Sequence, residues 1–128
     1  MLESTSLLHW KLADYIPVED PVFLHEGKIA ETNLDGELKM VMRTAHSITE
    51  RPLKSGLAYS SISRDDGRTW SIAQPEPQLP NFRAKSFYGK DSLGRHIYVY
   101  SDSMERRALR YKLQSSDGKW SDAKLFYW

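Results

Sequence analysis

The stretch Ser63-Arg64-Asp65-Asp66-Gly67-Arg68-Thr69-Trp70-Ser71 returns in shortened form as Ser115-Ser116-Asp117-Gly118-Lys119-Trp120-Ser121. Each copy joins polar turn formers to a tryptophan: Asp and Ser side chains bind backbone N–H groups, and Gly accepts a left-handed backbone. Reading outward from the two copies, the apolar residues alternate with polar ones. Glu37 to Thr44 puts Leu38, Met40 and Met42 on one face; Gly56 to Ser63, Arg95 to Asp102 and Ala108 to Ser115 alternate in the same way. Asp35-Gly36 and Leu93-Gly94 supply further turns between these runs. Period-two alternation with a turn signal every ten residues or so predicts an all-β chain with no helix beyond about two turns.

The repeated unit is four strands long, and units of ~40–50 residues with four strands are the blades of a β-propeller. A third, decayed copy of the turn is expected to end at Trp10, within Ser6-Leu7-Leu8-His9-Trp10-Lys11-Leu12. The first copy, Ser-x-Asp-x-Gly-x-Thr-Trp, resembles the Asp box, or BNR repeat, of sialidases and related glycoside hydrolases. That resemblance implies a sialidase-type β-propeller, of which this chain would supply about two four-stranded blades plus one outer strand. Residues 1–20 would hold the outer strand of a preceding blade (Trp10 to Ile16), residues 21–77 one blade and residues 78–128 the next. The four strands of the first full blade would be His25–Thr32, Glu37–Thr44, Gly56–Ser63 and Trp70–Gln74. Those of the second would be Lys85–Lys90, Arg95–Asp102, Arg107–Ser115 and Trp120–Trp128. It also implies that Ser63, Asp65, Gly67 and Trp70, with Asp117, Gly118 and Trp120, hold the fold and do no chemistry. Sialidase propellers have six blades, so the end faces would be covered by remaining blades of a longer chain or by further copies of this one.

Composition narrows the chemistry. The 128 residues carry 18 Lys plus Arg against 17 Asp plus Glu, a formal net charge of +1, with no basic run of the kind that phosphate-dominated nucleic-acid binding needs. With no Cys, disulfides, thiolate zinc sites, iron–sulfur clusters and a Cys nucleophile are all excluded. The four histidines, at 9, 25, 46 and 96, have no metal-ligand spacing and are expected at the surface or in loops. No metal or cofactor is implied, no signal-peptide pattern opens the sequence, and no run nears the ~18 apolar residues of a membrane-spanning helix.

In a propeller the Asp-box turns lie on one face, so a site must come from the opposite loops, around Tyr15–Glu26, Arg43–Lys54, Gln74–Lys85 and Ser101–Arg107. The span from His25-Glu26 through Asp35-Gly36 to Met42-Arg43 resembles the sialidase stretch in which a Glu opens an inner strand and an Arg closes the next. Carried over, Glu26 acts as base toward a Tyr nucleophile, and Arg43 is the second of three arginines that clamp the substrate carboxylate. Glu31 would need a bulge to serve instead. Arg107, eight or so residues before the second turn, matches the third arginine; Arg106 fits nearly as well. Guanidinium suits this task because its paired donors match two carboxylate oxygens and it stays charged. The first arginine, the Asp acid/base and the Tyr nucleophile have no counterpart, Tyr127 being too far from the axis. Leu79 to Lys85 offers Asn81 and Lys85 as hydrogen-bond donors to a sugar. The expected function is thus that of part of an exo-glycosidase releasing terminal sialic acid or a related sugar. The alternative is a non-catalytic carbohydrate-binding or interaction propeller.

Overall fold

The computed structural model describes residues 2–4, 6–12, 14–19, 22–45, 56–103 and 105–128. Their strands are β1 (Leu2–Glu3), β2 (Lys11–Leu12), β3 (Phe23–Glu31), β4 (Leu38–Ala45), β5 (Gly56–Ser63), β6 (Gln74–Asn81), β7 (Phe87–Lys90), β8 (His96–Ser101), β9 (Leu109–Leu113) and β10 (Lys124–Tyr127). No helix occurs among the described residues. β3-β4-β5-β6 and β7-β8-β9-β10 are two antiparallel four-stranded meanders, and β1 pairs β2 in a third, two-stranded sheet. Within each meander, strands consecutive in sequence are neighbours in the sheet.

Most strands fall where alternation puts them, but one expected strand is displaced. Trp70 to Gln74 does not form the outer strand of the first meander; Gln74 to Asn81 does. Residues 71–73 instead finish the turn, with Ser71 N–H donating to the Ile62 carbonyl at 2.9 Å. The strand that follows carries Pro75, Pro77 and Pro80, which end a central strand but are tolerated at an edge, where only one side of the backbone must pair. Its register jumps from Tyr59↔Pro75 to Leu57↔Pro80, so the chain bows out opposite Ala58. The other outer strand, expected over Trp10 to Ile16, reduces to Lys11–Leu12 paired with Leu2–Glu3. The segment beyond it still lies on the first meander: Pro17 accepts from Ala73 N–H at 2.8 Å, and Ile16 and Val22 pack on Met42, Tyr59 and Ala73.

The core lies between the two meanders. Val41, Ala58 and Leu79 of the first meet Tyr88, Tyr98 and Tyr100 of the second. Tyr98, 0% exposed, donates its hydroxyl to the Pro80 carbonyl at 2.8 Å, so a large, fully buried side chain also ties one sheet to the other. Tyr100 stacks on Tyr98 with ring centroids 5.4 Å apart, and Trp120 meets Tyr98 edge-on at 6.5 Å. Burial of this cluster holds the hydroxyls of Tyr88 and Tyr98 protonated well above neutral pH.

His96 corrects a sequence expectation. It is buried at 4% exposure, not at the surface, with its ring stacked on Tyr88 at 5.6 Å and Nε2 2.7 Å from the Glu31 carbonyl. As the first residue of β8 it faces the first meander at the end where β3 stops, where a planar, polar-edged side chain can both stack and bond. His9 and His25 are exposed as expected; His46, with most of the Arg43–Lys54 loop, lies outside the described residues.

Candidate functional site

Register fixes which ends of the strands face which way. Leu38 pairs with Ser63 and Met42 with Tyr59, so Arg43 sits at the end of β4 far from the turn that begins at Ser63. The same holds in the second meander, where the β8–β9 connection carrying Arg106 and Arg107 lies opposite the turn from Ser115 to Trp120. The two meanders are aligned. At the turn-bearing end His96 reaches the carbonyl of Glu31, and at the other end Arg106 Nη2 donates to the Arg83 carbonyl at 3.2 Å.

At the turn-bearing end the repeated motif does structural work. Ser63 Oγ donates to Asp65 and accepts from Gly67 N–H at 2.9 Å, while Asp65 accepts from the Thr69 backbone at 2.8 Å and from its hydroxyl. The indole N–H of Trp70 closes the loop on the Gly67 carbonyl at 3.0 Å, and Trp70 is only 6% exposed. Asp66 and Gly67 are both left-handed, at φ 58° and 81°. Hydrogen bonds from Thr69, first its hydroxyl and then its backbone, pull the Asp65 carboxyl down to about 2. The second copy is built alike: Ser115 bonds Asp117, Lys119 N–H donates to Asp117 at 3.1 Å, and Gly118 is left-handed at φ 84°. Trp120 there is half-buried rather than buried, turned onto Tyr88 and Tyr98.

The third, decayed copy is present between β1 and β2. Ser4 Oγ accepts from Leu7 N–H at 3.0 Å, Ser6 stands where the Asp was, within 3.4 Å of His9 Nδ1, and Trp10 Nε1 donates to the Leu7 carbonyl at 3.1 Å. Leu7 holds the left-handed position at φ 61°, where the other copies have Gly. Without Asp and Gly the turn keeps its hydrogen-bond plan, but its tryptophan stays 56% exposed.

At the opposite end β3 carries a bulge between His25 and Lys28, with Glu26 left-handed at φ 50°. A left-handed Glu costs ~1–2 kcal/mol relative to an ordinary strand residue. The bulge turns its side chain onto the neighbouring strand, where Glu26 Oε2 accepts from Arg43 Nη1 at 3.0 Å. That hydrogen bond, with the charges of Arg43, Lys85 and His25, holds the Glu26 carboxyl below the ordinary range. The group is therefore an ionised acceptor at neutral pH and not a general acid. Arg43 keeps its Nε–H buried without a hydrogen-bond acceptor among the described residues.

The remaining candidates are placed as follows. Arg106, left-handed at φ 55°, is bonded to Arg83, itself left-handed at φ 56°. Arg107 is 78% exposed in the direction of solvent and paired with Glu105 at 2.8 Å. Glu31 ends β3 at the turn-bearing side, so it stands at the other end of the strand from Glu26. Asn81 is buried and donates its amide to the Ala84 carbonyl at 3.0 Å, which makes it a brace for the β6–β7 connection and not a donor at the surface. No protein-family model matches the chain, and no curated protein matches it.

A concavity of about 350 Å³ opens between the meanders at the turn-bearing end and is lined by Thr32, Glu37, Lys39, His96, Gln114 and Asp117, among others. Glu37 is almost wholly buried there, accepting from Thr32 Oγ1 at 3.0 Å and lying 3.0 Å from Arg64 Nε. Sequence reading missed it because its lining residues come from turns of both meanders and share no motif.

Proposed function

We propose that this chain is about two blades, and part of a third, of a sialidase-type β-propeller whose completed form cleaves a terminal sialic acid or a related acidic sugar from glycoconjugates. The observation that carries the reading is the Glu26–Arg43 pair. An ionised carboxylate on a left-handed bulge meets a guanidinium whose buried Nε–H has no acceptor among the described residues, at the strand ends opposite the Ser63 and Ser115 turns. In this reading Arg43 supplies a forked donor to the sugar carboxylate, and Glu26 withdraws the proton of a phenol nucleophile contributed by a further blade. A neutral phenol paired with such a base suits an anionic substrate, which would repel a carboxylate nucleophile. Arg106 or Arg107 joins the clamp by leaving its present partner.

One observation favours a binding function without turnover. Arg106 and Arg107 are each engaged away from Glu26, by Arg83 and Glu105, which leaves Arg43 as the arginine committed to the pair.

The test is hydrolysis of a fluorogenic sialoside, and binding of free sialic acid, by the protein in its native assembly. Wild type is compared with Arg43→Lys and Glu26→Gln. Loss of turnover in both variants, with unchanged melting curves, is the expected result; a roughly 10–100-fold weaker affinity for sialic acid is expected for Arg43→Lys, because an ammonium cannot reproduce the fork. Binding without turnover selects the second function. Indifference of sialic acid binding to Arg43→Lys, or no binding at all, overturns both.

A further inference from the structure

We propose that Lys85 is the second cationic contact of the ligand carboxylate, which lies in the gap between the two meanders with Arg43 on one side and Lys85 on the other. This rests on the Glu26–Arg43 reading given above and concerns only which side chain joins Arg43.

Topology brings Lys85 to the pair. β3 of the first meander packs beside β7 of the second. His96, just past the β7–β8 turn, reaches the carbonyl of Glu31 at the end of β3, so the two strands run side by side in the same direction. Lys85, two residues before β7, therefore stands by the start of β3, where the bulge presents Glu26. Asn81 donates its amide to the Ala84 carbonyl at 3.0 Å, Arg106 donates to the Arg83 carbonyl at 3.2 Å, and Ser86 is buried. The chain on both sides of Lys85 is thus anchored, while Lys85 itself is exposed.

The charges do not balance there. The groups whose charges act on the Glu26 carboxylate, Arg43, Lys85 and His25, are all basic. Arg43 pairs with Glu26 at 3.0 Å, which leaves the Lys85 ammonium over. It is near enough to help lower the Glu26 carboxyl, yet it makes no hydrogen bond or ion pair among the described residues. With the Arg43 Nε–H that lacks an acceptor among those residues, unused donors stand on both meanders. Arg106 and Arg107, by contrast, are engaged by the Arg83 carbonyl and by Glu105.

The two contacts differ in kind. The planar guanidinium of Arg43 orients the carboxylate, whereas Lys85 adds a point charge on a flexible stem. Lys85 therefore selects for charge, and a ligand that keeps the sugar ring without an ionised carboxyl gains nothing from it.

The experiment is chemical-shift titration of the protein in its native assembly, with sialic acid, its uncharged methyl ester and acetate as probes. Lys85→Met keeps the stem and removes the charge at an exposed position, and unchanged melting curves confirm the fold. Before any ligand is added, this variant should raise the titration midpoint of the Glu26 carboxyl; an unmoved midpoint overturns the placement of Lys85. Lys85→Met is expected to weaken sialic acid binding about tenfold, while the methyl ester stays within about twofold of its wild-type value. Sialic acid binding that ignores Lys85→Met but is weakened by Arg43→Lys overturns the inference and leaves the Glu26–Arg43 reading standing. A greater loss with Arg106→Ala or Arg107→Ala than with Lys85→Met gives the contact to that arginine and overturns it as well. If wild type binds no sialic acid, the sugar reading falls and acetate decides the rest. Acetate binding weakened by Lys85→Met sustains the two-cation site; acetate binding that ignores it, or none at all, overturns it.

Discussion

Replacing Trp70 by Ala tests whether the repeated turn is a structural element. Trp70 is 6% exposed, and its indole N–H is bonded to the Gly67 carbonyl at 3.0 Å. A tryptophan buries up to ~250 Å² of surface; at ~25 cal/mol per Å² that is ~5–6 kcal/mol, reduced by 10–40% because the unfolded chain already covers part of it. The lost hydrogen bond adds ~1 kcal/mol, and partial collapse of the turn into the vacated space recovers some of the sum. The expected loss is ~3–5 kcal/mol, against a total stability of ~6–19 kcal/mol for a chain of this length. With an unfolding entropy near 0.27 kcal/mol/K for such a chain, the melting temperature should fall by ~10–20 °C. Trp70→Phe keeps one ring and loses the N–H, so it should cost ~1–2 kcal/mol. Urea unfolding followed by far-ultraviolet circular dichroism reads both without relying on tryptophan emission. The control is Trp128→Ala, at a residue 83% exposed, expected within ~0.5 kcal/mol of wild type. A Trp70→Ala protein that unfolds within ~1 kcal/mol of wild type would show that the indole does not seal the turn, and the motif would then need another explanation.

Three further outcomes follow from the same contacts. Asp65 has its carboxyl lowered from 3.8 to about 2 by Thr69, so its contribution is complete above the unfolded value of 3.8 and is lost as pH falls toward about 2; Asp65→Asn should flatten the acid limb of stability in that window, and an unchanged limb in urea titrations would contradict the hydrogen-bond assignment. Leu7→Gly should raise stability by ~1 kcal/mol, because Leu7 is left-handed and exposed and loses strain without losing burial; thermal melts showing destabilisation would mean that Leu7 packs on something. Tyr98→Phe removes the hydroxyl that reaches the Pro80 carbonyl, and leaving that acceptor unpaired should cost ~1–2 kcal/mol in the same urea assay while the transition stays single, an unchanged midpoint arguing against the tie between sheets.

The strands were legible because each apolar alternation is anchored by a turn with its own chemistry. Asp35-Gly36, Asp66-Gly67 and Asp117-Gly118 mark strand ends by residue type, and five positions of left-handed glycine among the described residues include all three. The strand β6 was misplaced because three prolines resemble a loop when edge and central strands cannot be told apart. His96 was misjudged for a related reason: its partners, Tyr88 and the Glu31 carbonyl, belong one to a neighbouring strand and one to the other meander, and no local pattern encodes a contact 65 residues away.

The candidate site divides along the same line. Glu26 and Arg43 are brought together because the register of β3 against β4 places His25 opposite Arg43, and the bulge that follows swings Glu26 onto the same guanidinium. That pairing is local to one hairpin, so a sequence span of 18 residues contains all of it. Arg106 and Arg107 belong to a different meander, and their direction depends on a connection whose two left-handed neighbours, Arg83 and Arg106, lean on each other across the gap between sheets. Glu26, Arg83 and Arg106 hold left-handed backbone at this end beside left-handed Gly56, whereas at the other end Asp66 and the glycines Gly36, Gly67, Gly94 and Gly118 are left-handed in the turns. The turns at one end are held by their own hydrogen bonds, while the opposite end gathers Glu26, Arg43, Arg83 and Arg106, the residues on which the proposed function draws.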